Sequence, residues 1–134
     1  FHADFVSGHL DLAKKTSATI VYGPNADTRY DAYHAKDGEK FRLGDVTIEV
    51  LHTPGHTPAC MTHVIGDAAF VGDTLFMPDA GTARADFPGG DARALYRSIQ
   101  RILALPPQTR RRAPSSTGGR GGGRCRRAHV ESCP

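Results

Sequence analysis

Two histidine-bearing stretches and one aspartate have the residue types and placing to hold a metal ion. His52-Thr53-Pro54-Gly55-His56-Thr57-Pro58 puts His56 in a Pro- and Gly-bounded loop that follows an apolar, strand-like run. Such a loop aims a side chain rigidly and leaves it reachable from solvent, as a ligand must be. Seventeen residues later, Asp73 closes the run Phe70-Val71-Gly72-Asp73 at the end of the next-but-one strand. Neighbouring strand ends bring such groups to one edge of a sheet. The third element is His2-Ala3-Asp4, just ahead of a helical pattern. Imidazole and carboxylate together suit a hard or borderline divalent cation. Each residue has a plainer reading, since a loop His is often only solvated and an Asp after Gly is a common turn or cap residue. The three elements together, in this order, argue for a metal centre. His9, His34, His63 and His129 lack such a context and read as surface or structural residues, with His52 a loop-packing neighbour of His56.

The elements that must position these groups follow from periodicity and breakers. Residues 7–18 predict a short helix with Leu10 and Ala13 on one side and Lys14 and Lys15 outward. Ala18-Thr19-Ile20-Val21-Tyr22 is a strand stopped by Gly23-Pro24, and residues 25–40 are polar and mostly loop. Strands follow at about 41–43, 46–51, 60–65 and 68–71, separated by Gly44-Asp45, the His56 loop and Gly66-Asp67. After a Gly- and Pro-rich loop, Asp91 caps a helix from about Ala92 to Ala104, with Leu95, Ile99, Ile102 and Leu103 as its apolar face. Pro106-Pro107 ends it. Helix, strand meander and helix together predict an α/β layered domain.

The whole-chain net charge of +3 conceals two regions. Residues 1–109 hold ten basic and thirteen acidic residues, whereas residues 110–134 hold seven Arg and one acid, Glu131. The basicity therefore belongs to the tail, and the rest of the chain gives no sign of a nucleic-acid partner. No apolar run approaches the roughly 18 residues of a membrane span. Three cysteines, Cys60, Cys125 and Cys133, form neither a disulfide framework nor a zinc knuckle, so a reducing, cytoplasmic setting is the simplest expectation. The stretch after Thr109 lacks periodicity and holds one β-branched apolar residue, Val130, so it is expected to be a disordered Arg/Gly-rich tail or an out-of-frame translation. The division expected is thus a partial domain at 1–109 and a tail at 110–134. The opening Phe1-His2-Ala3-Asp4-Phe5, with no initiating Met, suggests a start lying upstream.

The order HAD, TPGHT, GDTLF resembles the pattern of the metallo-β-lactamase superfamily, whose first motif reads HxHxDH. HADFVSGHLDLAKKT, IVYGP, EVLHTPGHTPACM and FVGDTLFMPDAGTARADFPGGDARALYRSIQRILALP are similar to bacterial persulfide (sulfur) dioxygenases of the glutathione persulfide type. The likeness covers residues 1 to about 109, and GTARADFPGGD is its most branch-specific part. It implies a metallo-β-lactamase-like αββα layered fold, here incomplete at both ends.

The resemblance also implies one Fe(II) held by two His and one Asp, with zinc as the alternative metal. His56 matches the second His and Asp73 the carboxylate, while the first His would fall one place before Phe1. His2 and Asp4 match residues that sit beside the iron, and Phe5 stands where two-metal hydrolases carry a ligating His. The three open positions of such a site let a persulfide sulfur and O2 share one iron, giving sulfite and glutathione. Arg84 matches an arginine near the glutathione carboxylate, its plainer reading being a surface residue paired with Asp86, and Tyr22 is a weaker candidate for lining the site. Ala59 and Ala85 replace a usual Gly and a frequent Cys, and the family's C-terminal His-containing motif does not follow the LPP segment. Two other functions compete: a hydroxyacylglutathione-type zinc thioester hydrolase, and an inactive fragment that lacks a ligand. The expected partners are a small-molecule persulfide and O2, with no nucleic acid and no membrane; whether the chain forms a homodimer is left open.

Overall fold

The apolar runs between turn residues become a five-stranded sheet, and the second periodic helix packs against it. The computed structural model describes residues 7–78, 80–86 and 88–113. Helix α1 (His9–Thr16) is followed by β1 (Val21–Tyr22) and β2 (Tyr33–His34), which pair in parallel as a small separate sheet. The main sheet has the order β3 (Lys40–Leu43), β4 (Val46–His52), β5 (Met61–Ile65), β6 (Ala68–Phe70) and β7 (Arg110–Arg112). Its first four strands form an antiparallel meander, while β7 joins β6 in parallel after a crossover through α2 (Ala92–Leu103). This is the α/β layered arrangement that the order of helices and strands predicts. No helix among the described residues is long and apolar enough to cross a membrane.

Register decides what each strand buries. Glu49–Val64 and Leu51–Thr62 are opposed on one face, and Ile48–Ile65, Val50–His63 and His52–Met61 on the other. Val64, Ala69, Val71 and Ala113 pack with Ile102 of α2, forming the core on the first face. Val50 and Leu51 point oppositely and are both buried, so both faces are covered at mid-sheet. On the second face Tyr33 meets Phe41 edge-on at 5.7 Å, tying the small sheet to the large one. Burial there also pushes the His63 imidazole pKa down, consistent with a structural residue.

Helix α2 begins as its sequence predicts, with the Asp91 carboxylate accepting from the backbone N–H groups of Arg93 and Ala94. Its inward face differs in detail. Leu103 is exposed, and Ser98 takes a buried place beside Leu95 and Ile102 because its hydroxyl has a partner there, the Pro54 carbonyl. Helix α1 buries no residue: Leu10 and Leu12 are both exposed, and a polar contact from His9 to Tyr30 ties it to the region before β2.

The expected tail boundary at Thr109 is corrected. Arg110–Arg112 pairs with β6 at Ala68, Ala69 and Phe70, and Ala113 belongs to the core. Three arginines can form this edge strand because a parallel edge needs only backbone pairing. Arg111 is buried and donates to the Ile102 and Leu103 carbonyls, satisfying the C-terminal end of α2. Arg110 pairs with Asp67, which raises the guanidinium pKa further. The remaining tail residues, 114–134, lie outside the described residues.

Candidate metal centre

His56 and Asp73 reach the same place from two different turns. The loop after β4 carries His56, and a 3-10 turn at Gly72–Thr74, just past β6, carries Asp73. His56 is buried, with Asp73 about one-third exposed, and their facing atoms, Nε2 and Oδ2, are 3.8 Å apart. That is too long for a hydrogen bond. It is a distance that a single ion, bonded to each at about 2.0–2.2 Å, can bridge.

The other side of the imidazole determines what Nε2 can do. His56 Nδ1 lies 2.9 Å from the Arg84 carbonyl oxygen. A carbonyl only accepts, so Nδ1 donates its proton there, and Nε2 is the nitrogen turned towards Asp73 and left for a cation. A metal-binding histidine is commonly oriented in this way. Imidazole lone pair and carboxylate form a donor set that fits Fe(II) or Zn(II). Among the described residues there is no group of three or more His, Cys, Asp or Glu that could hold an ion. His2, Asp4 and Phe5 lie outside the described residues, as does any ligand preceding them.

Three threonines that sequence reading passed over hold the two turns together. Thr53, Thr62 and Thr74 are completely buried. The Thr74 hydroxyl points at the Thr53 carbonyl and hydroxyl, at 3.2 and 3.3 Å, and the Thr53 and Thr62 hydroxyls are 3.1 Å apart. Thr53 begins the His56 loop and Thr74 follows Asp73, so this cluster locks one ligand turn to the other. The only sequence signal was that a Thr accompanies each motif, in HTPGHT and GDT, and threonine is too common for that to be decisive.

Glycine permits two close approaches at the loop. Gly55 has φ +135°, and a Cβ there would collide with the backbone of Leu95 at the start of α2. A Cβ at Gly23 would collide with the Ala59 carbonyl oxygen, so the end of β1 rests directly on the His56 loop. His52 closes that loop by donating Nε2–H to the Pro58 carbonyl at 2.8 Å, the packing role expected for it.

The two candidate substrate residues are placed differently. The Arg84 side chain is exposed and its Nε donates to Asp86 at 2.7 Å, holding that carboxyl below its usual pKa range. Its backbone carbonyl is the group that orients His56. The Tyr22 hydroxyl is 2.7 Å from that of Tyr30, which is 2.8 Å from His9 Nε2, and His9 Nδ1 is 2.7 Å from the Ser7 hydroxyl. The Tyr30 hydrogen bond, with burial, pushes the Tyr22 pKa up to about 12.

A buried imidazole and a carboxylate, set by separate turns at one end of a layered α/β sheet, form a candidate metal site. The chain belongs to the metallo-β-lactamase superfamily, a superfamily of metal-dependent enzymes, whose profile matches residues 1–110. It is 65% identical to a beta-lactamase hydrolase-like protein of Xylella fastidiosa, in a match covering 81% of this chain and 30% of that protein. It is 36% identical to a hydroxyacylglutathione hydrolase of Methylococcus capsulatus, covering 81% of this chain and 43% of that one. Among solved structures it is similar to ETHE1 from Myxococcus xanthus, with 34% identity and a TM-score of 0.78, covering 89% of this chain and 52% of that chain. The chain therefore spans about a third to a half of the length of these relatives.

Proposed function

We propose that this chain is part of a non-haem iron dioxygenase that oxidises glutathione persulfide to sulfite and glutathione. The observation that carries this reading is the hydrogen bond from His56 to the Arg84 carbonyl. It puts the GTARADF segment, the most branch-specific part of the resemblance to persulfide dioxygenases, directly against a metal-ligand candidate. The likeness to ETHE1 from Myxococcus xanthus supports the same branch.

In this reading His56 and Asp73 hold one Fe(II), together with a third ligand outside the described residues. Bound ferrous iron would supply the open positions at which the persulfide sulfur and O2 react. The chain's own residues perform the rest. The Arg84 carbonyl keeps the proton on His56 Nδ1, so the ring binds through Nε2. Asp73 supplies negative charge that offsets the cation. The Arg84 guanidinium, exposed and within reach of solvent, exchanges part of its contact with Asp86 for a glutathione carboxylate. Tyr22, held by the Tyr30 hydroxyl and with its pKa raised, stays protonated as the weaker candidate for lining the site. O2 provides two oxygens of the sulfite and water the third, and glutathione leaves as the thiol.

The second reading is a zinc thioester hydrolase, which the similarity to a hydroxyacylglutathione hydrolase favours. Oxygen uptake separates the two. Fe(II) is added to the chain, and to the chain carrying one His before Phe1, and O2 consumption and sulfite are followed with glutathione persulfide. One sulfite per O2 is expected, and the added His is expected to raise the rate. Cleavage of a glutathione thioester by the zinc form, with no persulfide-dependent O2 uptake by either iron form, would overturn the proposal.

A further inference from the structure

The loop that carries His56 is held along its length by one helix. Leu95, Ser98 and Arg101 recur every three residues, so they share a face of α2. The loop meets them in reverse order. Gly55 lies against Leu95, the Pro54 carbonyl accepts from the Ser98 hydroxyl at 2.7 Å, and the His52 carbonyl accepts from Arg101 at 3.2 Å. At the far end of this seam stands Asp37, in the segment before β3. One guanidinium nitrogen of Arg101 is 2.8 and 2.9 Å from its two carboxylate oxygens, and Asp37 Oδ1 also accepts from the His52 backbone N–H at 2.8 Å. A single ion pair therefore grips both the N–H and the C=O of His52, the residue at which β4 leaves the sheet.

We propose that Asp37 and Arg101 are positioning residues for the metal centre, fixing the His52 backbone and thereby the stance of His56 relative to Asp73. The inference rests on reading His56 as a metal ligand. Between His52 and His56 the chain has little slack. Pro54 has a fixed φ, and Gly55 is pinned against Leu95, so a shift at His52 passes on towards His56. A metal centre is sensitive to such shifts, because affinity depends on ligands held in place before the ion arrives. Global stability is much less sensitive. Arg101 and Asp37 are 39% and 49% exposed, and half-exposed ion pairs add little to it. The signature of a positioning role is therefore a weakened metal site in a protein that melts almost where it did.

The test uses Arg101→Gln and Asp37→Asn in the full chain carrying one His before Phe1, with Ile102→Val as a control that thins the core and leaves the ion pair in place. Two quantities are read: Co(II) affinity by chelator competition, and amide exchange at Thr53 and Gly55 in metal-free protein. Both single variants are expected to bind Co(II) about 10-fold more weakly, in the range for residues that orient a ligand, and to exchange faster at those amides. The double variant should be no weaker than the singles, because one device has been broken twice. Ile102→Val should lower Tm and leave Co(II) affinity alone. Unchanged affinity in the single variants, or unchanged exchange, overturns the proposal. Should the unsubstituted chain bind no Co(II) even with one His added before Phe1, while exchange still responds, the metal reading itself fails and the ion pair is structural only.

Discussion

His56 uses both ring nitrogens, one given to a backbone carbonyl and the other turned towards Asp73. Arg84 likewise divides its duties, its carbonyl serving the ligand and its guanidinium the solvent side. Under the proposed function, that division predicts that Arg84→Gln raises KM for glutathione persulfide by roughly 10-fold or more, the loss of a charged hydrogen bond. Metal affinity should not change, because the carbonyl remains. Steady-state kinetics and Co(II) titration on one preparation check both halves, and a parallel loss of metal would contradict them. Tyr22 gives a pH prediction. Its pKa is pushed from the ordinary 10.0 to about 12 by the Tyr30 hydrogen bond and burial, so the unfolded chain releases this proton first. The corresponding stability is complete below pH 10 and is lost as pH rises towards 12. Ultraviolet titration should find tyrosines ionising late, since the Glu39 hydrogen bond also raises Tyr33, and Tyr22→Phe should remove the part of that phase nearest pH 12.

The elements act through contacts between loop and helix. Gly55→Ala would drive a Cβ into the Leu95 backbone at a left-handed φ, and is expected to destabilise the chain by at least about 2 kcal/mol. Chemical denaturation measures that loss, and full stability in the variant would mean that the loop can part from α2. Much of this level was legible in the sequence. The β3–β6 meander announces itself by apolar runs between Gly-Asp turns, α2 by Asp91 and a 3.6-residue period, and His56 and Asp73 by their motifs. What stayed hidden depends on partners distant along the chain. Tyr33–His34 is too short for an alternation, and its parallel partner lies across a loop. Arg110–Arg112 carries no apolar signal at all, because backbone pairing and a helix-end cap make it a strand. Ser98 outranks Leu103 on the helix face because a hydroxyl satisfied by the Pro54 carbonyl can be buried. The threonine cluster escaped for a related reason, since burial and mutual geometry distinguish those three from other threonines.

At the scale of the whole molecule, β7 carries the packed part of the chain past Thr109. A chain ending at Thr109 loses the strand beside β6, the Arg111 cap on α2 and the Ala113 contact with the core. It should melt lower than a chain ending at Ala113. Calorimetry of the two truncations tests this, and equal Tm values would make β7 dispensable. The seam between the His56 loop and α2 has a consequence in time as well as in space. His56 is synthesised 45 residues before Arg101, and at about 5–20 residues per second that gap lasts roughly 2–9 s. During that interval the loop exists without Leu95, Ser98 and Arg101, which later hold it. The nascent chain thus presents an imidazole with no fixed stance until the helix docks. Under the proposed role of His56 as a metal ligand, uptake of the ion would be timed by the arrival of α2 rather than by the synthesis of the ligands.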